Sequence, residues 1–217
     1  MSLSFSKILK YPRVYTFAQR ILGGVQGRAW ALESLQLRSG ETLLDVGCGP
    51  AYYFGDLPPC RYFGFDTDAD YIVHAQARFG GRGRFFAEPY TEAHRTTLPK
   101  FDAVMLMGLL HHLSDDEADG LLGLIARSLE PGGRVVALDT VFYEGQSRHS
   151  RWLAENDRGE FVRRPEGFRS LASKHFGEID GRVVGDTLTV VSSLYLMMLT
   201  RPLAPAATPS GSAGETG

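Results

Sequence analysis

The segment LLDVGCGPAYYF, residues 43–54, constrains this chain more than any other. An apolar run of strand length ends in an aspartate, and two glycines spaced G-x-G follow directly. Glycine has no Cβ and accepts positive φ, so a strand that stops at such a turn leaves its backbone uncovered. When a helix follows, the turn carries main-chain N–H groups to the carboxyl edge of a parallel sheet, where open α/β folds bind ligands. A chain with this segment needs a sheet around it, and the rest of the sequence has the period of one.

TLLDV, RYFGFD, GRFFAEP, FDAVMLMGLL and RVVALDT read as five short strands without period-two alternation, as expected of strands covered on both faces. Between them, DADYIVHAQARF and SDDEADGLLGLIARSLE read as helices. The second is opened by Ser114, carries acids in its first turn and Arg127 near its end, and stops at PGG. A helix near 27–38, ending at Ser39-Gly40, precedes the first strand. Beyond residue 140 come two polar helical stretches, 147–157 and 165–175, then strands near 178–186 and 191–200. These last two are too close for a crossover helix, so they pair as an antiparallel hairpin or sit apart in the sheet. The alternation predicts a doubly wound, mostly parallel α/β sheet.

With 217 residues and 43% hydrophobic content, the chain suits one core and is short for two. Cys48 and Cys60 give neither metal-ligand spacing nor a disulfide framework, which suits a reducing cytoplasm, and Cys48 is expected to pack as a small hydrophobe. No run of about 18 apolar residues predicts a membrane-spanning helix. The first 32 residues hold Lys7, Lys10, Arg13, Arg20 and Arg28 without an acid, which leaves 18 basic and 25 acidic residues beyond them. That balance gives no global reason to bind nucleic acid. Within the basic arm, Val14, Phe17, Ala18, Ile21, Leu22 and Val25 recur at helical spacing, starting after Pro12 and stopping at Gly23-Gly24. Such a helix lies across the domain or makes weak contact with a membrane surface. The organisation expected is an N-terminal helical arm or lid over 1–30, a main domain over 31–201 and a disordered Pro/Ala/Gly/Ser tail over 202–217.

Asp66 closes the second strand 19 residues after Gly47, where a carboxylate accepts hydrogen bonds from ribose hydroxyls. A nucleoside-containing ligand follows. A dinucleotide needs a third glycine at the helix N-terminus, and this turn runs G-C-G-P-A-Y instead. Asp45, directly before the turn, would repel a pyrophosphate and suit a cationic amino group.

Taken in order, LLDVGCGPAYYF, YFGFDTD, FDAVMLMGLLHHLSDDE and LEPGGRVVALD resemble the successive motifs of class I S-adenosylmethionine-dependent methyltransferases, over about residues 40–140. The resemblance implies a Rossmann-like, seven-stranded sheet in a single domain, with an antiparallel last strand between the fifth and sixth. It implies S-adenosyl-L-methionine as cofactor, held by Asp45, Gly47 and Gly49 at the turn, by Asp66 and Thr67 at the ribose, by Glu88 near the adenine and by Met107 at the end of the fourth strand. Ala51 stands where the family has its third glycine and is read as tolerated.

Transfer of a methyl group needs in-line alignment and exclusion of water, and an unreactive hydroxyl also needs a base. His111 and His112, the only adjacent histidines, are the catalytic candidates; resemblance favours His112. The motifs of exocyclic amino and cytosine C5 methyltransferases are absent after the fourth strand, and so is the aspartate of metal-dependent catechol enzymes, so no metal is expected. Acceptor recognition falls to residues 1–30, with Tyr11 and Tyr15 near the pocket, and to residues 141–175, where six arginines meet five acids in a mixed surface. The reading is a cytoplasmic methyltransferase acting on a small molecule, with an oxygen acceptor ahead of nitrogen. Its rivals are a non-catalytic cofactor-binding or membrane-associated module and a nicotinamide oxidoreductase.

Overall fold

The computed structural model describes residues 24–157, 159–187 and 191–204. Most of the arm, with Tyr11 and Tyr15, and residues 205–217 of the tail lie outside them. The elements are α1 (Gly24–Leu35), β1 (Thr42–Val46), β2 (Arg61–Phe65), α2 (Ala69–Phe79), β3 (Gly83–Phe86), α3 (Glu92–Thr97), β4 (Phe101–Met107), α4 (Asp115–Ser128), β5 (Leu129–Thr140), α5 (Arg148–Glu155), α6 (Pro165–Ser173), β6 (Phe176–Gly185) and β7 (Ser193–Pro202). Short 3-10 turns sit at Phe54–Asp56 and Leu110–His112.

The sheet order is β3-β2-β1-β4-β5-β7-β6. Strands β1 to β5 pair in parallel, and β7 runs antiparallel between β5 and β6. This is the expected seven-stranded α/β sheet. Both faces are covered, which is why the strands do not alternate. On one face Leu44, Val46, Phe63, Phe65, Val104 and Leu106 pack with Ile125 and Phe168 from α4 and α6. On the other, Leu43, Tyr62, Ala103 and Met105 pack with Ala31, Leu35, Ile72 and Phe79 from α1 and α2. Each large side chain fully buried in this way contributes roughly 1.5–3 kcal/mol.

Several boundaries depart from the sequence reading. Gly24, read with Gly23 as a helix stop, begins α1 instead, and that helix spans the boundary expected at residue 30, while Gly23 lies outside the described residues. A Cβ on Gly27 would stand 2.8 Å from Leu194 Cδ1, so glycine here lets α1 approach the sheet closely. α3, a single short helix with a capping box between Thr91 and His94, had no expected counterpart. PGG lies inside β5, because Leu129 is already extended and pairs with Phe101 before a register shift. β7 runs one residue into the stretch read as tail.

Arg134 fastens the amino edge of the sheet. Its guanidinium donates to Glu41 Oε2 at 2.6 Å, Gln36 O at 2.8 Å and Asp102 O at 3.3 Å, joining α1, β1 and β4 on the side away from the carboxyl ends. The hydrogen bond from Arg134 holds the Glu41 carboxyl below its usual range.

Candidate cofactor and acceptor site

The strand order reverses between β1 and β4, so their carboxyl ends open the crevice where such a sheet takes its ligand. Gly47 leaves β1 with φ +75° and Gly49 follows with φ +53°. The N–H groups of Gly47 and Cys48 donate to Phe65 O at 2.8 and 3.0 Å, which pins the turn beside the end of β2. Cys48 packs in the core, as expected. Gly49 N–H donates to Asp66 Oδ2 at 2.8 Å, and Asp66 Oδ1 accepts from Asp68 N–H at 2.9 Å. Asp66 therefore ties the glycine turn to the start of α2, while Asp68 caps that helix. A Cβ on Gly49 would meet only Tyr71 Cδ2, at 4.0 Å, so the space beside it is open; one on Gly47 would touch Leu109 Cδ1 at 3.1 Å.

Thr67 is exposed beside Asp66, and Glu88 is exposed after β3, where its Oε1 lies 3.5 Å from His94 Nε2. Met107 ends β4, half-buried. All these positions share the carboxyl edge. Asp45 differs from the sequence reading. It is 0% exposed, Tyr62 donates to its Oδ2 at 2.6 Å, and its Oδ1 has no hydrogen-bond partner among the described residues. Burial pushes its carboxyl up to about 7, the Tyr62 hydrogen bond opposes this, and the charge of Asp66 adds to the rise. The residue is thus no simple anion at neutral pH.

The histidine pair divides. His112 is exposed, whereas His111 is 5% exposed and its ring centroid lies 4.1 Å from that of His112. His111 Nδ1 lies 2.8 Å from Asp139 Oδ1, at the end of β5, and Nε2 lies 3.2 Å from Asp157 Oδ1, after α5. Burial alone would lower the His111 pKa, but the two carboxylates outweigh it and raise it to about 9. Burial likewise raises Asp157, and the bonds from His111, Gly159 N–H and Thr140 reverse this to about 2. One nitrogen of each histidine and an Asp157 oxygen lie within 4.8 Å of one another, a spacing a divalent ion can bridge.

Asp139, Asp157 and Arg163 were missed from sequence. Asp139 ends an apolar run just as Asp45 and Asp66 do, so its signal was present. Arg163 offered none: it donates to Leu110 O at 2.7 Å, Leu113 O at 2.6 Å and Asp115 Oδ1 at 2.9 Å, all across about fifty residues of chain.

Known proteins resemble this chain in sequence and in fold. Residues 44–135 match the family model described as a methyltransferase domain. Phosphoethanolamine N-methyltransferase 1 of Arabidopsis thaliana is 28% identical over 140 residues, 62% of this chain and 28% of that protein. A tRNA (carboxymethyluridine(34)-5-O)-methyltransferase of the same plant is 28% identical over 61% of this chain and 28% of its own length. The chain thus spans little more than a quarter of these relatives. An uncharacterized methyltransferase of Geobacillus kaustophilus is 25% identical over 76% of this chain and 78% of its own. Among solved structures, the N-methyltransferase NodS of Bradyrhizobium japonicum with S-adenosyl-L-homocysteine shares the fold at a TM-score of 0.66 and 16% identity, over 90% of this chain and 95% of that one. The match over residues 44–135 and the strand order thus agree with what the ordered motifs imply: this part of the chain is similar to methyltransferase domains, and the sheet has their fold.

Proposed function

We propose that the protein transfers the methyl group of S-adenosylmethionine to a small-molecule acceptor, with an oxygen acceptor ahead of nitrogen. The observation that carries this reading is the shared carboxyl edge, where the open space at Gly49, the Asp66 carboxylate and the exposed ring of His112 stand on neighbouring strand ends. These residues fit the cofactor: Gly47 and Gly49 leave room for its methionine part, Asp66 keeps acceptor capacity for ribose hydroxyls, and the orphaned Asp45 Oδ1 lies under the turn. When bound, the sulfonium supplies an electrophilic methyl carbon. The chain aligns the acceptor, excludes water and, at His112, takes a proton from a hydroxyl.

A phosphorylated acceptor, as the name of the plant relatives would suggest, finds little support. Arg163 is spent on three carbonyls and Asp115, and Arg169 on Tyr195 Oη and the carbonyls of Ile179 and Gly181. The acidic balance beyond residue 32 speaks likewise against tRNA. The test is calorimetric titration with S-adenosylmethionine and with NAD, followed by mass-spectrometric screening of metabolite pools for a gain of one methyl. Binding of the first alone and a methylated product uphold the reading. Binding of NAD alone returns the chain to the oxidoreductases, and cofactor binding without any product leaves a non-catalytic module.

A further inference from the structure

The segment that follows α5 is fastened to the turn after β4 by contacts that converge on one ring. Both nitrogens of His111 face carboxylate oxygens, Asp139 Oδ1 and Asp157 Oδ1. Ionised carboxylates only accept, so both nitrogens must donate, and a ring that donates twice is an imidazolium. Asp157 is held on each of its oxygens, by Gly159 N–H at 3.0 Å on Oδ1 and by Thr140 Oγ1 at 2.9 Å on Oδ2. The backbone of Gly159 lies against the ring: a Cβ built there would collide with His111 Cδ2 and stand 2.6 Å from the His111 carbonyl oxygen. Phe161 N–H donates to that same carbonyl at 3.0 Å, and Arg163 bonds the carbonyls on either side of the histidine pair, those of Leu110 and Leu113.

We propose that His111 is a positioning residue, a cationic pin that locks Asp157 and residues 159–163 over the turn after β4 and so leaves His112 as the histidine that faces the acceptor. The part concerning the acceptor rests on the proposed function; the pin does not. The groups facing His111 are Asp139 from β5, Asp157 from the segment, and His112 on its own turn, with the Arg163–Asp115 pair behind them. The rival arrangement at the same atoms is a divalent ion on His111, His112 and Asp157. That ion needs the Nε2 lone pair, which the pin fills with a proton.

The test uses the full chain without acceptor: nitrogen-15 NMR of the histidine rings, and hydrogen-exchange protection factors of residues 159–163. His111 should show two protonated nitrogens at pH 7.5. Asp157→Asn and Gly159→Ala should each lower the protection of residues 159–163 by about tenfold or more at pH 7.5. Gly159→Ala leaves every buried charge in place, so it answers even if a variant at His111 does not fold. S-adenosylmethionine affinity, read by calorimetry, should stay within about twofold of the parent in both variants. A neutral His111 ring at pH 7.5, stoichiometric zinc uptake that shifts its Nε2 resonance, or unchanged protection in both variants overturns the pin. Failure to find a methylated product would overturn the proposed function and leave these readings standing.

Discussion

At the β1–β2 end of the carboxyl edge, the site is made of main chain. Gly47 and Gly49 expose backbone, and the one prominent side chain, Asp66, accepts one N–H from the loops around it on each oxygen and keeps a lone pair free on both. At the β4–β5 end the site is made of charged side chains, with His111 between Asp139 and Asp157, and Arg163 reaching back over the turn. A surface of backbone can hold the same ligand in many chains, because it depends on few residue identities. A surface of paired charges is particular to one chain, since each partner loses its reason when the other changes. On the proposed function, that difference is the one expected between a shared cofactor and an individual acceptor.

The largest effect expected tests the acceptor end. His112→Ala should lose about 10² to 10⁴ in turnover with cofactor affinity nearly intact, and the parent's turnover should fall as pH drops through the free-enzyme pKa of the base. Turnover against pH for parent and variant checks this; a profile that follows only the acceptor's own ionisation removes the base from this end. The next tests the cofactor end. Asp66→Ala should weaken S-adenosylmethionine by about 1.5–3 kcal/mol, roughly 10- to 150-fold, since a charged acceptor is lost and Gly49 N–H loses its partner. Unchanged affinity in calorimetry would detach Asp66 from the ribose.

Stability against pH separates the two ends without any substrate. Asp45 has a folded pKa of about 7, above its unfolded value near 4, so the stability its neutral form contributes is present at low pH and lost as pH rises through about 7. His111 is raised to about 9 from an unfolded value near 6.5, so its contribution is complete below 6.5 and lost as pH rises through 9. Thermal denaturation across pH should show two successive declines. Asp45→Asn should flatten the first alone and Gly159→Ala should weaken the second alone; one merged decline that neither variant changes would refute the separation. The smallest effect concerns the glycine turn. Ala51 is buried and sits at φ +56°, a conformation that costs a non-glycine residue roughly 1–2 kcal/mol. Glycine there relieves that strain but loses a buried methyl and adds unfolded-state freedom, so Ala51→Gly should raise stability by at most about 1 kcal/mol in chemical denaturation.

The glycine turn and the end of β2, proposed to hold the cofactor, were legible because they are local. The turn, the acid that closes β2 and the alternation of strands are each written within a dozen residues, and backbone geometry does the rest. Ala51 was read as a mild change, and only the backbone shows that it occupies a glycine's conformation. The acceptor end was illegible where it depends on distance along the chain. Nothing in the mixed charges of residues 141–175 distinguishes Asp157, which meets His111, or Arg163, which meets Asp115, from neighbours on a solvated surface. Pairings of that range are fixed by the fold as a whole.

The place of β7 sets an order of events in the life of the chain. Strand β5 is flanked by β4 on one side and β7 on the other, and β7 is the last strand of the sheet in sequence. In any intermediate that forms β1–β5 before β7, Val135, Val136, Ala137 and Leu138 lie on an edge that lacks its partner. Until Leu194 to Leu199 arrive, that apolar edge is open to any other extended chain. Late arrival of β7 is therefore what would leave such an intermediate open to pairing with its neighbours.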